Sequence, residues 1–263
     1  MAAVKRRRAT FGFWLVILLA ALYFLVPLAA TVQFSVQQGP GTPFSAAYTQ
    51  ILSSAPFWSS LKLSILMAIS AVLIGMVVIV PAAYWVFLRV PRMKPWVEFV
   101  SILPFVVPPI VLVLGLVRLY GNGLGPLSSR VTMIMGAYGV VAMPYMFRSI
   151  DTGLRAKNIK ALTEAALGMG VSWGRVMFQV VLPNIRSSLL GGTFLTFALI
   201  MGEYAISSML GFNTFGVYML LTGQTQAQGA AALALISFIL VWFFVALIQV
   251  FNRDAVSAMG GSR

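Results

Sequence analysis

Long apolar runs along the chain are separated by short breaks rich in glycine, proline or basic residues. A helix needs about 20 mostly apolar residues to cross a hydrocarbon core about 30 Å thick, at about 1.5 Å per residue. Six runs meet that length: Phe11–Val32, Trp58–Leu88, Trp96–Tyr120, Arg130–Arg148, Ser188–Leu210 and Gly229–Phe251. The pattern predicts an all-α integral membrane protein, with a basic segment over 1–10, a six-helix domain over 11–251 and a tail over 252–263. The first run exceeds the about 7–15 residues of a signal-peptide core, which favours an uncleaved helix although Ala29 and Ala30 resemble a cleavage site.

The breaks refine this layout. Gln33–Phe57 is polar and turn-rich and predicts an outer loop with a short interfacial helix around Phe44–Leu52. Pro81 predicts a tilt or kink in the second run. Pro104, Pro108 and Pro109 sit inside the third, as a packed kink or as a bent helix lining a pathway. Gly121–Ser129 reads as a glycine-rich turn without the lysine and hydroxyl ending of a P-loop. Gly211–Gln228 is polar, uncharged and read as a loop.

Composition agrees with the runs. Of 263 residues, 60% are hydrophobic and 9% charged, at a mean hydropathy of +0.95; a soluble domain carries about 25% charge. The net charge of +13 would suggest nucleic acid in a soluble protein, but the basic residues follow the topology. With the N-terminus inside, Lys62, Arg118 and Arg130 are the three outer cations among 18, so the positive-inside rule places both termini in the cytoplasm. The chain has no Cys and no His, and its acids (Glu98, Asp151, Glu164, Glu203 and Asp254) are scattered. Thiol and imidazole catalysis, disulfides and the usual metal sites are excluded or disfavoured. An integral membrane enzyme therefore lacks a catalytic set.

The segment 149–187, between the fourth and fifth runs, is the most polar interruption of the chain. Thr163 and Glu164 predict a helix start, Gly168 and Gly170 an elbow, and Ser172 the cap of a second short helix with Trp173, Val176, Met177, Val180 and Val181 at helical spacing, closed by Pro183. Two short amphipathic helices on the cytoplasmic side suit either the membrane surface or a groove on a partner protein.

The same residues carry a resemblance. Glu164, Ala165 and Ala166, then three residues, Gly170, nine residues, Val180, one residue, and Leu182 with Pro183, resemble the EAA loop of binding-protein-dependent ABC importer permeases, with Val180 where isoleucine is frequent. The six-helix layout extends the resemblance to nearly the whole chain. It implies a MetI-like permease fold whose loop docks into an ATP-binding subunit. Glu164 and the alanine pair would sit on the docking helix, Gly170 would permit the turn, and Leu182 with Pro183 would lead into the fifth membrane helix. It also implies a second, related permease chain as heterodimer partner, two ATP-binding subunits and an extracytoplasmic binding protein. ATP and magnesium would be bound by those subunits, since this chain has no Walker motif.

Glu203 is the one acid deep in an apolar run. It is expected either to pair with Lys62 or Arg118, or to lie on the translocation path with Tyr204, Ser207 and Ser208. In length and helix count the chain is most similar to spermidine/putrescine-type permeases, and an acid on the path suits a polyamine. Ferric iron, thiamine, phosphonate, sulfate and molybdate permeases share the implied fold, so these cargoes stay open. An ion-coupled secondary transporter would need more intramembrane carboxylates.

Overall fold

The structure, a computed structural model, describes residues 2–37, 41–121, 123, 128–156 and 158–260, with side chains described over 13–244 within those ranges and at 246. Gly39 and Pro40 of the outer loop, Asn122 and residues 124–127 of the glycine-rich turn, Lys157 and Arg263 lie outside the described residues, as do the side chains of Lys5, Arg6, Arg7, Arg8, Arg253 and Asp254. Among the described residues the regular elements are all helical. The chain divides into two compact units, Met1–Ala55 with Met219–Ile239, and Pro56–Tyr218 with Leu240–Arg263.

In the first unit, α1 (Ala2–Val36) exposes its apolar side chains from Phe13 onward, as a helix wrapped by lipid must. The expected short helix is α2 (Ala46–Ser53). Ser35 joins the two: its hydroxyl donates to the Val32 carbonyl at 2.8 Å and accepts from the Tyr48 hydroxyl at 2.7 Å. The stretch read as a loop over 211–228 contains α12 (Phe215–Thr225), one residue before α13 (Ala227–Gly260). Gly229 permits that tight corner, since a Cβ there would stand 3.2 Å from the Thr222 methyl. The helix was hidden because its polar residues, Thr222, Gln224 and Thr225, gather at its end. The final helix also runs past the expected end at Phe251, to Gly260.

The second unit is organised around α7 (Arg130–Ala156), which is buried along most of its length. Beside it lie α3 (Ala55–Ile74) and α4 (Val80–Leu88), joined by a π-helical turn over Gly75–Ile79. Next come α5 (Lys94–Val106) and α6 (Pro109–Tyr120). After α7 follow α8 (Ile159–Gly168), α9 (Trp173–Arg175), a second π-helical turn over Val176–Val181, α10 (Leu182–Gly202) and α11 (Ala205–Met209). The approach of α10 to α7 depends on small residues, as between membrane helices generally. A Cβ on Gly153 would stand 2.7 Å from the Ser188 Cβ, and one on Gly192 2.9 Å from the Ser149 Cβ. The Ser149 hydroxyl donates to the Ser188 carbonyl across the same contact.

Among the described residues, Phe13–Val36, Ala55–Leu88, Trp173–Gly202 and Ala227–Phe244 are long and apolar enough to cross a membrane. The third run is not one straight helix. It breaks at Val107–Pro108, and its halves meet at 101°, making a broken span or a re-entrant loop. Val107 is extended, as a residue before proline prefers, and two consecutive prolines remove two backbone donors. The remaining run, α7, is about 40 Å long. It is less apolar because neighbouring helices, more than lipid, surround it.

Two further boundaries move for related reasons. Pro81 and Pro183 each follow a π-helical turn. A proline lacks the N–H for its i−4 carbonyl and crowds it, and a widened turn relieves both. Pro183 therefore does not close a short helix. The chain continues from Trp173 through the π turn into α10, with Leu182 N–H donating five residues back to Met177 and Asn184 Nδ2 donating to the Val180 carbonyl at 2.7 Å. The fifth helix ends at Gly202, so Glu203 stands at a helix break and not inside a helix.

Candidate functional site

The loop between α7 and α10 begins at Asn158, whose left-handed backbone (φ 50°) Asn tolerates better than most residues. Helix α8 starts at Ile159, four residues before the expected start at Thr163. Thr163 instead points inward, buried, with its hydroxyl 3.2 Å from the Tyr84 hydroxyl. The helix ends in a Schellman turn: Gly170 N–H donates to Leu167 O at 2.9 Å and Val171 N–H to Ala166 O at 3.1 Å. Gly170 sits at φ +79°, where any Cβ is strained, although the space around it is open. Ser172 has the extended backbone of a cap residue but makes no side-chain capping bond.

The seven motif residues divide by exposure. Glu164, Ala165, Gly170 and Pro183 face outward; Ala166 is buried; Val180 and Leu182 are half-buried. Leu162 on α8 and Met169 just after it also face outward, and Phe178 lies exposed on the π turn. Lys160 pairs with Glu164 at 3.9 Å, a weak contact between two exposed side chains.

The inward residues pin the loop to the helices beneath it. Ile159, Ala166, Val176, Val181 and Ile185 share one core with Tyr84 of α4 and with Phe147, Ile150 and Leu154 of α7. Trp173 lies against Tyr84 and Trp85, with ring centroids 6.5 and 6.4 Å away, and the Arg89 guanidinium stands 4.5 Å over the Trp173 ring. Sequence reasoning missed this latch. Trp85 and Arg89, four apart on one helix, were a usable local signal; Thr163 and Tyr84, 79 residues apart, offered none.

Glu203, Tyr204 and Ser207 gather at the far end of α10. The Glu203 Oε1 accepts Ile206 N–H at 2.7 Å, and Oε2 accepts Ser207 N–H at 3.3 Å and one hydroxyl proton from the Tyr138–Ser207 pair, whose oxygens stand 3.0 and 3.1 Å from it. The carboxylate thus caps the first turn of α11. Among the described residues no ion pair forms to it, so neither Lys62 nor Arg118 is its partner. Ser207 is fully buried, with its hydroxyl 2.5 Å from that of Tyr138, whereas Tyr204 is half exposed. Gly216 of α12 packs on this corner, its would-be Cβ 2.7 Å from the Glu203 carbonyl.

The loop is thus pinned inward by its apolar face, turned at an exposed glycine and followed by a long apolar helix. Residues 71–256 match the family described as binding-protein-dependent transport system inner membrane component. This chain belongs to that family. The permease is 30% identical over 198 residues to a probable molybdenum ABC transporter permease protein of Haloferax volcanii, covering 73% of this chain and 70% of that one. It is 27% identical over 239 residues to the sulfate transport system permease protein CysW of Synechococcus elongatus, covering 86% and 79%. It is also 24% identical to a putative 2-aminoethylphosphonate transport system permease protein of Salmonella typhimurium, covering 82% and 84%. Its fold is similar to that of a chain in a bacterial ABC transporter that imports alginate, with a TM-score of 0.73 at 14% identity over 96% of this chain and 97% of that one. The permease is thus a membrane transport subunit of an ABC importer and not an enzyme.

Proposed function

We propose that this permease forms half of the translocation pathway for a small oxyanion, and that the loop 149–187 docks on an ATP-binding subunit. Family membership carries the reading, and the loop geometry supports it: Leu162 and Ala165 on α8 and Met169 at its end face outward, while the other face is held in the core. A second permease chain, two ATP-binding subunits holding ATP and magnesium, and an extracytoplasmic binding protein complete the importer. Both termini lie in the cytoplasm.

An oxyanion replaces the polyamine as the favoured cargo for two reasons. The relatives described above bear molybdenum, sulfate and aminoethylphosphonate names. The polyamine expectation rested on length, helix count and an acid on the path, and both oxygens of that acid, Glu203, already accept hydrogen bonds. Lys62, Arg118 and Arg130, by contrast, are exposed and have no carboxylate partner among the described residues.

The test is uptake of labelled molybdate, sulfate and spermidine by the reconstituted importer. Oxyanion uptake without spermidine uptake is expected; the reverse overturns the cargo. Gly170→Asp strains the left-handed position by about 1–2 kcal/mol and adds charge to the exposed turn. It is expected to cut uptake and transport-linked ATP hydrolysis at least about tenfold with normal membrane insertion. Unchanged uptake would remove the docking role from the loop.

A further inference from the structure

We propose that the cleft between α5 and α7 binds the headgroup of an anionic phospholipid, with Arg148 as its phosphate ligand. A polar cavity of about 290 Å³ there is lined by Glu98, Ser101, Arg148, Asp151 and Thr152. Its charges are unequal. Lys94 bridges Glu98 at 3.1 Å and Asp151 at 2.9 Å, and Arg155 Nε adds a second bond to Asp151 at 3.0 Å. Arg148 is exposed and makes no ion pair among the described residues. Three cations thus face two carboxylates, leaving one positive charge unanswered.

The hydroxyls narrow the ligand further. Ser101 Oγ donates to the Glu98 carbonyl and Thr152 Oγ1 to the Arg148 carbonyl, each at 2.8 Å. A hydroxyl has one hydrogen, so both offer only lone pairs to the cavity. The ligand that fits carries one negative charge for Arg148 and hydrogen-bond donors for Ser101, Thr152 and Glu98. A phosphodiester with a glycerol headgroup has both.

An adjoining apolar cavity of about 210 Å³ argues for a lipid over a free anion. It shares Ser101 and Phe147 with the polar one, and Val97, Val100 and Met143 complete a wall suited to an acyl chain. Trp96, on its rim, is 66% exposed. Tryptophan and basic side chains at one level mark the headgroup layer of a membrane, and basic pockets between helices there hold anionic headgroups.

The importer, purified with its partner subunits and delipidated, is titrated with phosphatidylglycerol, phosphatidylcholine and soluble glycerol 3-phosphate, and bound ligand is counted by native mass spectrometry. Phosphatidylglycerol is expected to bind about tenfold more tightly than phosphatidylcholine. Arg148→Gln, at an exposed side chain, is expected to erase that preference. Ala82→Leu narrows the apolar cavity from an exposed position and is expected to weaken both lipids while leaving glycerol 3-phosphate unchanged; unchanged lipid binding overturns the acyl-chain assignment. Equal binding of the two lipids, or an unchanged preference in Arg148→Gln, overturns the proposal. Glycerol 3-phosphate binding as tightly as the lipid overturns the lipid assignment in favour of a soluble anion.

Discussion

An ionised carboxylate within an apolar layer costs several kcal/mol unless it is neutralised or fully hydrogen-bonded. Glu203 takes the second course, accepting from two backbone N–H groups and from one of the hydrogen-bonded Tyr138–Ser207 pair. Its acidity against an apolar background was visible in the sequence; its partners were not, because Tyr138 is 65 residues away and the helix break at Gly202 leaves no local mark. Removing the acceptor in Glu203→Ala is expected to lower stability by about 2–3 kcal/mol, since buried donors lose their partner. Glu203→Gln keeps an acceptor oxygen and is expected to lose less than half as much. Thermal unfolding in detergent checks both. Loss of uptake in Glu203→Gln at unchanged stability would instead give the negative charge a role toward the cargo. Gly170 is the opposite case: fixed spacing marked it, and its positive φ and Schellman bonds supply the reason.

At the level of elements, apolar runs locate helices well and their internal breaks poorly. The run Trp96–Tyr120 contained its own warning in three prolines, yet composition cannot distinguish a kink from the 101° turn that separates α5 from α6. The loop over 149–187 was legible as an amphipathic insertion, but the face it buries was set by Tyr84, Trp85 and Arg89 of a distant helix. Trp173 joins the two elements, so Trp173→Ala is expected to release the loop. It removes aromatic and cation–π contacts together worth about 1–3 kcal/mol. Hydrogen exchange over 159–181 should rise at least about tenfold relative to α7, and ATP hydrolysis should continue with reduced uptake. Unchanged exchange would show that the apolar core alone holds the loop.

For the whole molecule, the proposed orientation rests on charge, and the absence of cysteine makes it testable. A single cysteine at Gly41 is expected to react with an impermeant thiol reagent from outside, and one at Met169, 77% exposed, only after the membrane is opened. The reverse pattern would invert the topology.

The π turn before α10 has a consequence for angular phase. A helix advances about 100° per residue, so one residue gained without a turn rotates everything after it by that angle. Small-residue contact between Gly192 and Ser149, and between Ser188 and Gly153, therefore depends on that offset as much as on the residues themselves. Deleting Phe178, whose side chain is 71% exposed, removes little packing. It resets the rotation of α10 by that angle, so Ser188 and Gly192 would no longer face Gly153 and Ser149.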